Sequence, residues 1–328
     1  MFFLNIEGNR IFMRKVISIL LCMFILIPLL GLINIEILKI YLFFLILLTA
    51  LMIVILFFVD IQAKPPITTA FKYTISEEKF MNRKVFIIKP KDKEKLSDKY
   101  IFYLHGGAYV MEATYKHWQF LEDIVDSTGM TLILPDYPLA PKNTYKEVFQ
   151  MIMPLYKKVI KKYGKEKVIA MGDSAGGGIL LGLLEQMGLE KFSQPYKTIL
   201  LSPWLDVRMT NPKIDEIQKL DPVLIKDVLK ASGKVYSGED GIDSFLVNPI
   251  IGPIEKLENI TIYTGTYDIL NPDVHIFMER AKDVNLKVDL REKEKAIHIW
   301  MTHVENKKVY AVKETFEDIV NLLKEENN

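Results

Sequence analysis

The stretch Val168-Ile169-Ala170-Met171-Gly172-Asp173-Ser174-Ala175-Gly176-Gly177 decides how this chain is read. A β-prone apolar run leads directly into Gly-x-Ser-x-Gly, and a helix-compatible run continues from Ile179 to Met187. A serine at a sharp strand-to-helix turn is held in a strained backbone conformation, with its hydroxyl exposed above the sheet. Gly172 and Gly176 suit a place where strand and helix approach too closely for a Cβ. Ser174 is therefore the candidate nucleophile. The same string also occurs in ordinary loops, so the assignment depends on the groups a nucleophilic serine needs: a base, an orienter for that base, and donors for the oxyanion.

Upstream, Tyr100-Ile101-Phe102-Tyr103-Leu104-His105-Gly106-Gly107-Ala108-Tyr109 is a short apolar strand ending in a glycine pair. Glycines let successive N–H groups point into one cavity, where they can stabilise a tetrahedral oxyanion without any side chain. The amides of Gly106 and Gly107, with that of Ala175, are the expected oxyanion donors. The alternative is a plain glycine turn after a strand. His105 reads as a brace for this loop and not as the base.

Downstream, Ile260-Thr261-Ile262-Tyr263-Thr264-Gly265-Thr266-Tyr267-Asp268 is another buried strand followed by a turn, which places Asp268 where a carboxylate can orient an imidazole. Asp273 competes for that role but falls beside Pro272, where helix capping explains it. After a further strand near 286–291 comes Ala296-Ile297-His298-Ile299-Trp300, so His298 lies on a loop where a base belongs. Its rival His303 is expected to sit exposed near the last helix. His117 and His275 lie in polar, helix-like surroundings and are read as surface residues.

The order Ser174, Asp268, His298 is that of α/β-hydrolases, unlike those of chymotrypsin and subtilisin. The catalytic part resembles the hormone-sensitive-lipase-like family of α/β-hydrolases, which includes many bacterial carboxylesterases. The strings that carry the resemblance run in the family's order across most of residues 70–325. They are His105-Gly106-Gly107-Ala108-Tyr109, Asp136-Tyr137-Pro138-Leu139-Ala140-Pro141, Gly172-Asp173-Ser174-Ala175-Gly176-Gly177, Leu201-Ser202-Pro203-Trp204-Leu205-Asp206, Asp221-Pro222-Val223-Leu224 and Gly265-Thr266-Tyr267-Asp268-Ile269-Leu270. Three positions depart from the family pattern. Ala108 replaces a third glycine but keeps its backbone N–H. Pro138 and Lys142 stand where the family has arginine and glutamate, which affects the salt bridges expected of that loop. Ile299 replaces the usual glycine after the histidine, with Trp300 beyond it, so the pocket beside His298 departs from the family's. The resemblance also implies that residues 60–80 contribute to a cap.

The amino-terminal part reads differently. Val16 to Ile33 is apolar except for Ser18, and Ile40 to Val59 is broken only by Thr49; neither run contains a charge. As helices they would be roughly 27 and 30 Å long, about the thickness of a bilayer's hydrocarbon core. The short intervening Asn34-Ile35-Glu36-Ile37-Leu38-Lys39 suits a tight turn, and Pro28 would kink the first helix. The expectation is a two-helix transmembrane hairpin over residues 1–60, with spans at 16–33 and 40–59. A cleaved signal should have a shorter apolar core and no second span. A re-entrant segment and a buried helix pair are the other readings. Arg10, Arg14 and Lys15 precede the first span and Lys64, Lys72 and Lys79 follow the second, so the positive-inside rule would put residues 61–328 on the cytoplasmic side of a cell membrane.

Composition supports this division. Half of the residues are hydrophobic, a share raised by the first sixty, and the formal net charge is +1. Acids and lysines alternate in Lys89 to Lys99 and in Lys157 to Lys167, as on a solvated surface, and nothing points to nucleic acid as a partner. The one cysteine, Cys22, excludes an internal disulfide and a cysteine metal site. The chain has no P-loop, no dinucleotide fingerprint and no His/Asp/Glu spacing that demands a metal, so no cofactor is expected. The run Gly176-Gly177-Gly178 reads as close helix–sheet packing. Oligomeric state is not readable from the sequence.

Strands are predicted near 84–89, 100–104, 131–135, 167–171, 197–201, 259–264 and 286–291. Helices are predicted near 115–128, 144–163, 175–188, 222–232, 272–284 and 306–325. Such alternation implies a mostly parallel sheet covered on both faces, with ligands bound beyond the carboxyl ends of the strands. The fold class is thus α/β: an α/β-hydrolase domain with a small cap, including part of residues 205–248, preceded by the transmembrane hairpin. The expected activity is serine hydrolysis of a small or lipid-like ester at a bilayer. An amidase or thioesterase with the same residues, and a ligand-binding protein on a hydrolase scaffold, are the alternatives.

Overall fold

The computed structural model describes residues 39, 41–48, 64–303 and 310–325. The chain divides into two units, Met1–Val59 and Asp60–Asn328. In the first unit the described residues 41–48 are helical. The predicted first span, 16–33, lies outside the described residues, as do residues 40 and 49–59 of the second. Among the described residues no helix is long and apolar enough to cross a membrane. The expected transmembrane hairpin, bilayer partner and two-span membrane location are therefore corrected, since no described helix supports a crossing.

The second unit is built on one eight-stranded sheet in the order β1-β2-β4-β3-β5-β6-β7-β8. The strands are β1 (Tyr73–Phe80), β2 (Arg83–Pro90), β3 (Tyr100–Leu104), β4 (Thr131–Pro135), β5 (Val168–Asp173), β6 (Lys197–Leu201), β7 (Ile260–Gly265) and β8 (Val288–Lys293). The β1–β2 and β2–β4 pairings are antiparallel; all pairings from β4 through β8 are parallel. Parallel strands need crossovers, which the helices supply. The helices of this unit are α1 (Ile67–Lys72), α2 (Tyr115–Thr128), α3 (Tyr145–Tyr163), α4 (Ser174–Leu189), α5 (Lys213–Ile217), α6 (Lys226–Ser237), α7 (Asn271–Asp283) and α8 (Tyr310–Lys324), of which α2 to α7 lie in the crossovers.

The central strands β4 and β5 are buried along their whole length, as continuous apolar runs covered on both faces must be. Two apolar cores result. One packs α3 and α4 against Phe102, Ala170 and Leu200; the other packs α2 and α8 against Ile101, Ile169 and Leu201. Side chains one residue apart on each strand feed opposite cores, because strand side chains alternate between faces.

Element boundaries fall within about five residues of those read from the sequence for seven strands and five helices; the last helix ends as expected, and its predicted start at 306 lies outside the described residues. One strand was not foreseen. Residues 73–80, expected in a cap, form the edge strand β1, in register with β2 from Tyr73↔Pro90 to Phe80↔Arg83. Its outer run of Ser76, Glu77, Glu78 and Lys79 is the charged, water-facing character that keeps an edge strand from pairing with another chain. The segment 205–248 carries α5 and α6 and no strand.

Candidate active site

The turn from β5 into α4 requires glycine for steric reasons. A Cβ on Gly172 would lie 2.8 Å from the Gly176 carbonyl oxygen, and one on Gly176 would lie 2.1 Å from that of Leu104. Gly177 and Gly178 face Pro203 and the Trp204 carbonyl as closely. The strand, its helix and the neighbouring loops thus meet backbone to backbone around Ser174. Ser174 itself has φ 51°, the left-handed region that non-glycine residues rarely occupy. Such strain persists only where surrounding packing imposes it.

Three side chains from three strand ends meet here. His298 Nε2 lies 2.9 Å from Ser174 Oγ, and His298 Nδ1 lies 2.8 Å from Asp268 Oδ2. Asp268 is fully buried, and its other oxygen accepts the Leu270 N–H at 2.9 Å. Burial alone would lower the His298 pKa; the Asp268 carboxylate outweighs it, with help from Asp221 and Asp173, and the imidazole ends above its ordinary value. His303 is not in this constellation; its Nδ1 faces Lys116 Nζ at 3.4 Å.

The loop after β3 is folded by consecutive left-handed residues: Gly107 at φ 129°, Ala108 at 52° and Tyr109 at 65°. The Gly107 carbonyl accepts the N–H groups of Val110 and Met111, and a Cβ on Gly107 would lie 2.6 Å from the Met111 carbonyl oxygen. Gly106 departs from expectation. Its N–H donates to Asp173 Oδ1 at 2.9 Å, so it is committed to a carboxylate and does not face an open site. Among the described residues no acceptor takes the N–H of Gly107 or Ala108. Ala175 stands in the first turn of α4, where N–H groups have no intrahelical partner.

Asp173 organises this region. The Tyr103 hydroxyl donates to its Oδ1 at 2.7 Å, and His117 Nε2 lies 3.1 Å from its Oδ2. Burial pushes this carboxyl up, but His117, Tyr103 and Gly106 together hold it below the usual carboxylate range. His117, expected on the surface, is instead 5% exposed, on the inward face of α2. Its Nδ1 accepts the Thr114 N–H, which leaves the Nε2–H to meet Asp173. His105 does act as a brace: its ring stacks on Tyr137 at 4.4 Å, its Nδ1 lies 2.7 Å from the Gly106 carbonyl oxygen, and burial lowers its pKa to about 4.

Two further expectations change. Asp273 does not cap α7, whose first residue is Asn271; it is 2% exposed and its Oδ1 accepts from Asn211 Nδ2 at 2.9 Å. The loop carrying Pro138 takes its cation from another element. Arg83 of β2 donates to the Asp136 and Tyr137 carbonyls and pairs with the Asp136 carboxylate at 3.2 Å. His275 is half-buried and pairs with Glu292.

Comparison with known proteins identifies the fold. A family model described as the α/β hydrolase fold matches residues 101–302. An esterase of Acinetobacter venetianus is 31% identical over 58% of this chain and 64% of its own length. A triacylglycerol lipase of Mycobacterium tuberculosis is 27% identical over 52% of this chain and 35% of its own length. The chain thus spans less than two thirds of either relative. Among solved structures, a candidate esterase of Staphylococcus aureus superposes with a TM-score of 0.75 at 24% identity, covering 82% of this chain and 89% of that one. An esterase of the bacterial hormone-sensitive lipase family gives 0.70 at 21% identity, covering 80% and 86%.

Proposed function

The chain belongs to the α/β-hydrolase fold family, and from that premise we propose that it is a hormone-sensitive-lipase-like enzyme that hydrolyses carboxylic esters through Ser174, His298 and Asp268. The observation that carries the reading is the pair of contacts made by one imidazole, 2.9 Å to the Ser174 hydroxyl and 2.8 Å to the Asp268 carboxylate. The esterase and lipase relatives supply the substrate class.

In this reading Ser174 Oγ attacks the ester carbonyl while His298 Nε2 takes its proton. Asp268 keeps the Nδ1–H tautomer in place and stabilises the imidazolium. The carbonyl oxygen becomes an oxyanion held by the N–H groups of Gly107, Ala108 and Ala175. Gly106 gives its N–H to Asp173 and supports the loop in place of binding the oxyanion. His298 then protonates the leaving alkoxide, and the alcohol departs. Water, deprotonated by the same imidazole, cleaves the acyl-serine and regenerates the hydroxyl. The strained φ of Ser174 keeps its hydroxyl clear of the helix and accessible to substrate.

The test is hydrolysis of p-nitrophenyl butyrate beside its amide and thioester analogues, by the wild type and by Ser174→Ala. Ester turnover that exceeds amide turnover and falls by several orders of magnitude in the variant supports the proposal. Preferential amide or thioester turnover would move the assignment to those classes. Equal ester rates for the two proteins would overturn it.

A further inference from the structure

We propose that Asp221 is a positioning residue that couples the segment carrying α5 and α6 to the catalytic acid, by gripping the backbone turn on which Asp268 stands. This inference rests on the assignment of His298 and Asp268 as base and acid.

Asp221 lies between α5 and α6 and is 8% exposed. Its carboxylate receives three backbone amides from two separate parts of the chain. Oδ1 accepts the N–H groups of Val223 and Leu224 at 2.8 and 2.9 Å. Oδ2 accepts the N–H of Ile269, the residue after Asp268, at 3.0 Å. The next amide, of Leu270, goes to Asp268 Oδ1. The two carboxylates therefore take successive amides of one turn. Asp268 is oriented by that turn, and the turn is held by Asp221.

The chemistry needs an ionised carboxylate. Two acceptor oxygens, one toward each chain segment, match three donors; an asparagine would offer one oxygen and present N–H groups to a backbone N–H. Backbone amides are fixed donors, so the grip transmits any displacement of residues 221–224 to the Asp268 turn. A misplacement of about 1 Å in such a constellation can cost about 100-fold in rate.

The charge has a second consequence. The acidic groups that face His298 are Asp268, Asp221 and Asp173, and all three favour the imidazolium against the effect of burial. The hydrogen bonds of the imidazole go to Asp268 and Ser174 and those of Asp221 to backbone amides, so Asp221 acts on the base through its field and through the Asp268 turn.

Two variants separate these roles. Asp221→Asn removes the charge at constant shape; Asp221→Glu keeps the charge and displaces the carboxylate by one methylene. Each is followed by NMR titration of the His298 ring and by kcat and KM for p-nitrophenyl butyrate. For Asp221→Asn the expected result is a His298 pKa lowered by about half a unit or more, kcat down about 10-fold or more, and KM within about 2-fold of wild type. For Asp221→Glu the expected result is an unchanged His298 titration with reduced kcat. A His298 titration and kcat unmoved in Asp221→Asn, or a change confined to KM, would overturn the proposal. If Asp221→Asn does not fold, kcat in Asp221→Glu decides, and an unchanged value overturns the positioning role. A wild type that turns over no ester would refute the hydrolase reading separately, while the His298 titration would still report whether Asp221 acts on it.

Discussion

Ser202 Oγ accepts the backbone N–H of Ile299 at 3.1 Å, which ties the loop after β6 to the residue next to the base. Both partners have left-handed backbones, φ 45° at Ser202 and 44° at Ile299. For a β-branched residue such as Ile299 this is a marked outlier. The hydrogen bond and the packing of Ile299 against the core of α2 and α8 hold the conformation that glycine would adopt without strain. His298 is therefore held twice: its ring by Asp268 and the backbone just after it by Ser202.

Removing that tie should loosen the base without touching substrate. Ser202→Ala is expected to lower kcat about 10-fold with a smaller change in KM, and to destabilise the fold by about 1 kcal/mol. Steady-state kinetics and a thermal melt check both. An unchanged kcat would show that the Asp268 contact alone positions His298.

The glycine at the crossing of α4 and β3 admits no side chain. A Cβ at residue 176 would lie 2.1 and 2.5 Å from the carbonyl oxygens of Leu104 and His105, both backbone atoms. Gly176→Ala should cost about 3 kcal/mol or more, seen as loss of soluble protein or a large fall in Tm. A near-wild-type melt would mean that helix and strand can separate at little cost.

Asp273 makes stability depend on pH. Burial outweighs its bond from Asn211 and raises its pKa to about 6, above the unfolded value of about 3.9. A carboxyl raised on folding favours the native state most below the unfolded value, and that advantage is lost as pH rises through about 6. Asp273→Asn, which can keep the Asn211 contact, should leave stability near wild type at pH 4. At pH 8 it should raise it by on the order of 2 kcal/mol. Urea melts at the two pH values check this; an equal effect at both would show that folding does not raise the Asp273 pKa.

His298 sets the acid limb of activity. Its pKa is raised despite burial because carboxylates face it, and only the neutral ring accepts the Ser174 proton. kcat/KM should therefore fall with decreasing pH through a value above the ordinary histidine value of about 6.5. Asp268→Asn, which removes the nearest negative charge, should move that limb to lower pH while cutting kcat by up to about 10⁴-fold. A limb below the ordinary histidine value in the wild type would contradict the electrostatics described for the site.

The candidate site residues were legible because each stands at the end of a strand with a readable apolar run. Ser174 follows β5, Asp268 follows β7, and His298 lies beyond β8, all at the carboxyl end of a mostly parallel sheet. His117 was misread because its neighbours Tyr115 and Lys116 are polar and exposed. Helical spacing carried the missing signal: His117 shares the inward face with Phe120, Leu121 and Ile124. The role of Gly106 could not be read from glycine spacing, since it turns on a carboxylate sixty-seven residues away in sequence. The edge strand β1 escaped because its charged outer residues mask the alternation that marks a strand. Residues 16–33 and most of 40–59 were read from hydropathy alone, and no helix among the described residues matches the span that reading required.

The central claim is that Ser174 is a nucleophile activated by His298. The most direct test is labelling of the full chain with a fluorophosphonate, followed by mass spectrometry of the modified peptide. The expected result is a single stoichiometric adduct on Ser174, abolished in Ser174→Ala and slowed by orders of magnitude in a fold-preserving His298→Gln variant. Absence of an adduct on Ser174, or labelling at the same rate without the imidazole, would contradict it.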